Sequence, residues 1–236
     1  MAASAALTWA ATGCGTTSDD TVTILAASSL ADVMPQIVAV AEQEQPEATF
    51  DVSYAASSQI VQQLNAGIGA DVAVLAGEGP LRSLDPTLAT SAAQAVATNT
   101  LSIALAPGNP GQVRSLDDLD RGDISLVVCA EQVPCGQAAA AMFDQAGMTP
   151  SVASFEPDVR ATLSKVASGE ADAGIVYVTD LVGQSVDHVD VPAEDQVANT
   201  YPALSIDNSA SGAAFVELLG SEAARKVLRD AGFGAP

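Results

Sequence analysis

Short, largely apolar runs that stop at small polar residues and then pass straight into helical periodicity argue for a layered α/β fold. VTILA (22–26) ends ahead of Ser28-Ser29 and an amphipathic segment over 30–44. FDVSYA (50–55) ends ahead of Ser57-Ser58, after which Ile60, Val61 and Leu64 recur at helical spacing until Gly67 offers a C-cap. DVAVLA (71–76) and LSIALA (101–106) are further buried strands, with a helical or irregular stretch around 80–97 between them and the turn signal PGNPG behind. Apolar strands that alternate with helices predict a mostly parallel sheet covered on its faces.

A second series follows the first. It comprises a helix over 115–119, the strand SLVVC (125–129), a helix over 136–146, a strand near 152–155, a helix over 158–168 and the strand AGIVYV (173–178). A polar stretch over 179–200 precedes YPALSI (201–206), and helices over 209–219 and 221–231 end the chain. No Gly/Ser-rich linker divides the series, so two lobes joined by extended strands are expected, with crossovers near 101–106 and 200–206. The predicted boundaries are 1–20 for a leader and tether, 21–102 plus 204–236 for lobe I, and 103–203 for lobe II.

The charge balance removes whole classes of partner. Twenty-nine Asp and Glu against eight Lys and Arg give a formal charge of −21, a field that repels nucleic-acid backbones and anionic lipid surfaces. A small buried anion is a different case. It responds to nearby dipoles, while surface charge is screened over about 8 Å at physiological ionic strength.

In parallel α/β sheets ligands collect where strand ends lead into helix N-termini. Four such junctions share a character here: Ser28-Ser29, Ser57-Ser58, Pro134-Cys135-Gly136 and Asp158-Val159. Each offers the unpaired N–H groups of a first helical turn, and two add hydroxyls, which is the chemistry of an anion site. The commoner use of serine at such positions is to cap its own helix. Tyr177 follows an apolar run that buries its ring, and its hydroxyl needs a partner there.

Residues 1–13 carry no charge, and Ala11-Thr12-Gly13-Cys14 followed by GTTS resembles a bacterial lipobox and its tether. That resemblance implies cleavage before Cys14, lipidation of its thiol, export, and membrane association through the lipid alone. Cys129 and Cys135 stand six apart around a proline turn; in an exported protein a disulfide fits them, against the alternative of two separate buried thiols. The single histidine, His188, lies in the polar stretch and is expected to be a solvated loop residue. With no evident link from this one histidine to Cys135, whose thiol a disulfide would consume, neither a Cys135-His nor a Ser-His-Asp arrangement is expected, and no phosphate-loop or nucleophile-elbow motif appears in context. The acidic cluster Asp117, Asp118, Asp120 and Asp123 lacks a calcium-loop pattern and reads as solvated surface. No enzyme, metal centre or cofactor is expected.

The strings VTILAASSLADV, FDVSYAASSQIVQQLNAGIGADVAVLAG, VVCAEQVPCGQAA, DVRATLSKVASGEADAGIVYVTD and AARKVLRDAGF together resemble, in order, the molybdate-binding proteins of bacterial molybdate ABC transporters. The resemblance spans most of 22–233 and implies the two-lobed type II periplasmic-binding-protein fold. It implies binding of molybdate, and of tungstate with it, by a monomer that delivers to an ABC importer's permease. By position it puts Ser29 and Ser57 as hydroxyl and backbone donors, Cys135 and Val159 as backbone N–H donors, and Tyr177 as a phenolic donor. Sulfate is the same-fold alternative, distinguished by cavity size, whereas phosphate carries a proton and calls for an acceptor that none of these positions supplies. A ligand-sensing module of a transcription regulator is a further alternative that lacks the basic DNA-binding domain it would need.

Overall fold

The computed structural model describes residues 20–236; the leader and the proposed lipidation site Cys14 lie outside the described residues. Two five-stranded sheets organise the rest. In the first, β1 (Asp20–Ala27), β2 (Ala48–Ala55), β3 (Val72–Val74), β4 (Gln94–Asn99) and β10 (Asn199–Ser205) run in the order β2-β1-β3-β10-β4. In the second, β5 (Leu101–Leu105), β6 (Leu126–Cys129), β7 (Val152–Glu156), β8 (Ala173–Tyr177) and β9 (Asp187–Asp190) run β7-β6-β8-β5-β9. The two orders are the same pattern. Three parallel strands are followed by a strand antiparallel to both its neighbours, so four of the five strands in each sheet point one way.

The reversed strand of each sheet arrives from the other sheet. Thr100 alone separates β4 from β5, and β9 leads across to β10. LSIALA is therefore not a fourth parallel strand of the first lobe but the reversed strand of the second. By sheet membership Leu101 and Ser102 belong with the second lobe and residues 199–203 with the first, because pairing of Asn199 with Asn99 draws β10 into the first sheet from its first residue.

Helices cover both faces of the first sheet. Val22, Ile24 and Ala26 pack with α1 (Met34–Glu44), α6 (Ala210–Leu219) and α7 (Glu222–Asp230), while Leu25, Ala73 and Leu75 pack with α2 (Ser57–Asn65) and α3 (Glu78–Ser83). This period-two division explains why the strands read as unbroken apolar runs. The second sheet packs with α4 (Pro134–Ala146) and α5 (Val159–Ala167) through Met142, Leu163 and Val166.

Some elements differ from expectation. Helix α1 starts at Met34, with Pro35 in its first turn, and the residues Ser28–Leu30 form a separate 3-10 turn. The helix expected over 115–119 is a 3-10 turn closed by a Ser115–Asp118 capping box, and Asp123 pairs with Arg121, so two of the clustered aspartates have local structural partners. Strands β4 and β9 lie in stretches read as irregular or polar. Both are edge strands, which need no continuous apolar run, and His188 sits exposed on β9 rather than in a loop. Among the described residues no helix is long and apolar enough to cross a membrane.

Candidate functional site

Where the two lobes meet, a small cavity is lined by Ala27, Ser28, Ser29, Ala56, Ser57, Ala76, Pro134, Cys135, Asp158, Val159 and Tyr177. All five positions predicted as ligand contacts are among them. Lobe I contributes Ser29 and Ser57, lobe II Cys135, Val159 and Tyr177. Larger clefts exist, including one beside Phe143 and Phe155, but it gathers none of these five positions.

Neither serine caps its helix. Ser57 is the first residue of α2, and its Oγ accepts the Ala76 N–H at 2.8 Å, tying the loop after β3 to the helix start. Ser29 lies in the 3-10 turn after β1, with its Oγ 2.8 Å from the Tyr201 hydroxyl. The first turn of α2 also leaves the N–H groups of Ser57 and Ser58 without a helical acceptor.

In α4, Pro134 occupies the first turn and has no N–H, so Cys135 carries the first donor of that helix. Cys135 is bonded to Cys129 at the end of β6, with Cα atoms 5.6 Å apart. The next residue must be glycine: a Cβ on Gly136 would stand 2.0 Å from the Ala130 carbonyl oxygen. Val159 opens α5, and Asp158 caps it by accepting the Ala161 N–H at 2.9 Å. That carboxylate is the one acidic side chain of the cavity lining, and Lys, Arg and His are absent from the lining.

Tyr177 ends β8, buried, and its Oη accepts from Asn199 Nδ2 at 2.7 Å. Burial pushes its phenol well above the ordinary value, with Tyr201 and Asp180 adding to the effect, so it stays a neutral donor. Tyr201 is raised for the same first reason. Behind them lies Asp180, whose Oδ2 accepts the Tyr177 N–H at 3.0 Å and whose buried Oδ1 has no hydrogen-bond partner. Desolvation lifts its carboxyl to about 7, against the Tyr177 hydrogen bond and the Arg160 guanidinium 4.0 Å away.

Sequence reasoning missed Asn99, Asn199, Tyr201 and Asp180. Only the two-residue spacing of Asn199 and Tyr201, which puts them on one face of β10, was a signal; their place beside Asn99 on β4 comes from strand register. Chemically, the cavity combines hydroxyl donors with the N-terminal dipoles of α2, α4 and α5, a set suited to an anion that only accepts hydrogen bonds.

Two lobes joined by crossing strands, with a small cavity between them, are the architecture of a solute-binding protein, and the disulfide leaves Cys135 no thiol with which to act as a nucleophile. The chain belongs to the bacterial extracellular solute-binding protein family, whose model matches residues 22–234. It is 34% identical over 221 residues to the molybdate-binding protein ModA of Mycobacterium tuberculosis, covering 91% of this chain and 85% of that one. Its fold resembles the periplasmic molybdate-binding protein of Azotobacter vinelandii, at a TM-score of 0.79 and 17% identity over 91% of this chain and 99% of that one. The sulfate-binding protein SubI of Mycobacterium tuberculosis is also similar, at a TM-score of 0.75 and 17% identity over 90% and 86% of the two chains.

Proposed function

We propose that this protein captures molybdate, and tungstate with it, outside the cytoplasm and presents it to the permease of an ABC importer. One observation carries the reading: donors from both lobes converge on one small cavity whose lining holds no cationic side chain. Ser29 and Ser57 serve as hydroxyl and N–H donors, Cys135 and Val159 as N–H donors, and Tyr177 as a phenolic donor. Molybdate, a dianion at neutral pH, is a pure acceptor, so such a set satisfies it without a counter-ion. Each charge-assisted hydrogen bond is worth about 1.5–3 kcal/mol net, and several together reach the roughly −8 to −12 kcal/mol of micromolar to nanomolar binding once desolvation is deducted.

The strand pattern supports the type II arrangement, in which the lobes close about the crossing strands and the permease recognises the closed form. The lipobox-like leader supports a monomer held at the membrane through a lipidated Cys14. Calorimetric titration with molybdate, tungstate, sulfate and phosphate tests the function. Tight binding of the first two is expected; tight sulfate binding with silent molybdate overturns it.

A further inference from the structure

Three hydroxyls at the cavity already have a hydrogen-bonding neighbour behind them. Ser57 Oγ accepts the Ala76 N–H, and Tyr177 Oη accepts from Asn199 Nδ2 at 2.7 Å. Ser29 Oγ lies 2.8 Å from Tyr201 Oη, and Asn99 Nδ2 stands 3.4 Å behind that phenol oxygen. The sense of the Asn99 amide is fixed. Its Oδ1 accepts the Thr100 N–H at 3.0 Å, so its Nδ2 must face Tyr201 and the Thr179 hydroxyl, the latter at 2.7 Å. Tyr201 is fully buried; accepting a hydrogen bond from Asn99, it has Ser29 as the acceptor for its own proton.

A hydroxyl that accepts from behind keeps its own proton for whatever lies in front. We propose that Asn199, Tyr201 and Asn99 are positioning residues that lock the Tyr177 and Ser29 hydroxyls as donors, and thereby select a fully deprotonated oxyanion over one that carries a proton. The inference rests on the oxyanion reading above and extends it to residues outside the cavity wall. The ligand proton of monohydrogen phosphate needs an acceptor. Hydroxyls held proton-forward offer none, which leaves Asp158, whose Oδ1 already caps α5, as the one carboxylate of the lining. A ligand proton aimed at these hydroxyls is an unmet donor in a buried site and costs binding, so the lock adds to the discrimination.

Two variants test this in the full chain. Tyr201→Phe removes one hydroxyl and keeps the ring against Tyr177 and Phe233, at centroid distances of 6.5 and 5.4 Å. Asn199→Leu removes the amide behind Tyr177 at similar volume. Molybdate is titrated calorimetrically, alone and in millimolar phosphate at mildly alkaline pH, with melting curves to verify folding. In wild type phosphate does not compete. In the variants molybdate affinity falls about tenfold, the scale of one charge-assisted hydrogen bond, and phosphate competes measurably because freed hydroxyls can accept. Weaker molybdate binding with no gain in phosphate competition, or no change at all, overturns the proposal by reducing these residues to packing. If Asn199→Leu does not fold, Tyr201→Phe decides alone. A wild-type protein that binds phosphate as well as molybdate sinks the lock but not the binding function, whereas one that binds no molybdate sinks both.

Discussion

Arg160 of α5 holds Asp32 across the cleft in a two-pronged ion pair, with Nη1 2.6 Å from Oδ2 and Nη2 3.0 Å from Oδ1. The pair joins lobe II to lobe I at the rim of the cavity, one residue beyond Val159. Both side chains are partly exposed, so solvent discounts the pair to about 1 kcal/mol or less, although the paired geometry favours the upper end. Asp32→Asn is therefore expected to weaken molybdate binding by no more than about fivefold. Because salt screens a rim pair, titrations at rising ionic strength should bring wild type down towards the variant. Parallel salt dependence in the two proteins would remove the pair from the closing energetics.

Asp180 gives the second prediction, in pH. Its carboxyl titrates at about 7 in the folded protein against 3.8 as an ordinary aspartate, chiefly because burial penalises its charge. Between those values the native state keeps a proton that the unfolded chain has lost. The group's contribution to stability is therefore full below pH about 4 and is lost as pH rises towards 7. Asp180→Asn cannot titrate and keeps an oxygen for the Tyr177 N–H. Its melting temperature, subtracted from that of wild type across this window, should isolate the slope; a constant difference would mean that Asp180 does not titrate there.

Much of this architecture is legible in the sequence because buried strands flanked by helices leave an unambiguous pattern. VTILA, between two strands, must be apolar on both faces, FDVSYA at the sheet edge alternates Phe50 and Val52 inward with Asp51 and Ser53 outward, and the residues that follow each must turn at once. Strands β4 and β9 leave no such mark, since an edge position tolerates QAVATN and DHVD equally. The five expected contacts lie on one cavity because the family order of motifs carries each to a strand-to-helix junction. The polar layer behind them, Asn99, Asn199 and Tyr201, depends on register between β4 and β10, 102 residues apart at Asn99 and Tyr201. Local pattern carries no information about that pairing. Asp180 was hidden for a related reason: a lone aspartate after a buried strand looks like a turn residue until packing encloses it.

The disulfide should matter to stability and little to binding. It closes a short loop from Cys129 to Cys135, for which chain entropy gives about 2 kcal/mol of stabilisation. Replacing both cysteines with alanine should lower the melting temperature while leaving molybdate affinity within a few fold, because position 135 offers its backbone N–H. A large loss of affinity in a folded double variant would mean that the bridge itself holds that N–H in place. Alkylation of denatured, unreduced protein should find neither thiol free.

Ser29→Ala and Ser57→Ala should each weaken molybdate binding by about 1–3 kcal/mol, the cost of leaving a buried acceptor unmet. They should differ in stability. Loss of Ser57 Oγ strands the buried Ala76 N–H, whereas loss of Ser29 Oγ leaves Tyr201 still in contact with Asn99. Ser58→Ala, one residue outside the lining, should leave affinity unchanged when titrated alongside.

Gly136→Ala tests whether the start of α4 is held by close approach rather than by the disulfide alone. The added methyl would meet the Ala130 carbonyl oxygen at 2.0 Å and the Cys129 oxygen at 2.7 Å, both backbone atoms that cannot rotate away. Relief requires the first turn of α4 to move off the β6 loop, and that motion carries the adjacent Cys135 N–H out of the cavity. Overpacking of this kind costs about 1–3 kcal/mol or more in stability, and the displaced donor should cost molybdate affinity as well. Calorimetry and melting on the same preparation separate the two effects. A variant that is destabilised yet binds with wild-type affinity would show that α4 yields without moving its N-terminus, and would remove Cys135 from the contact set.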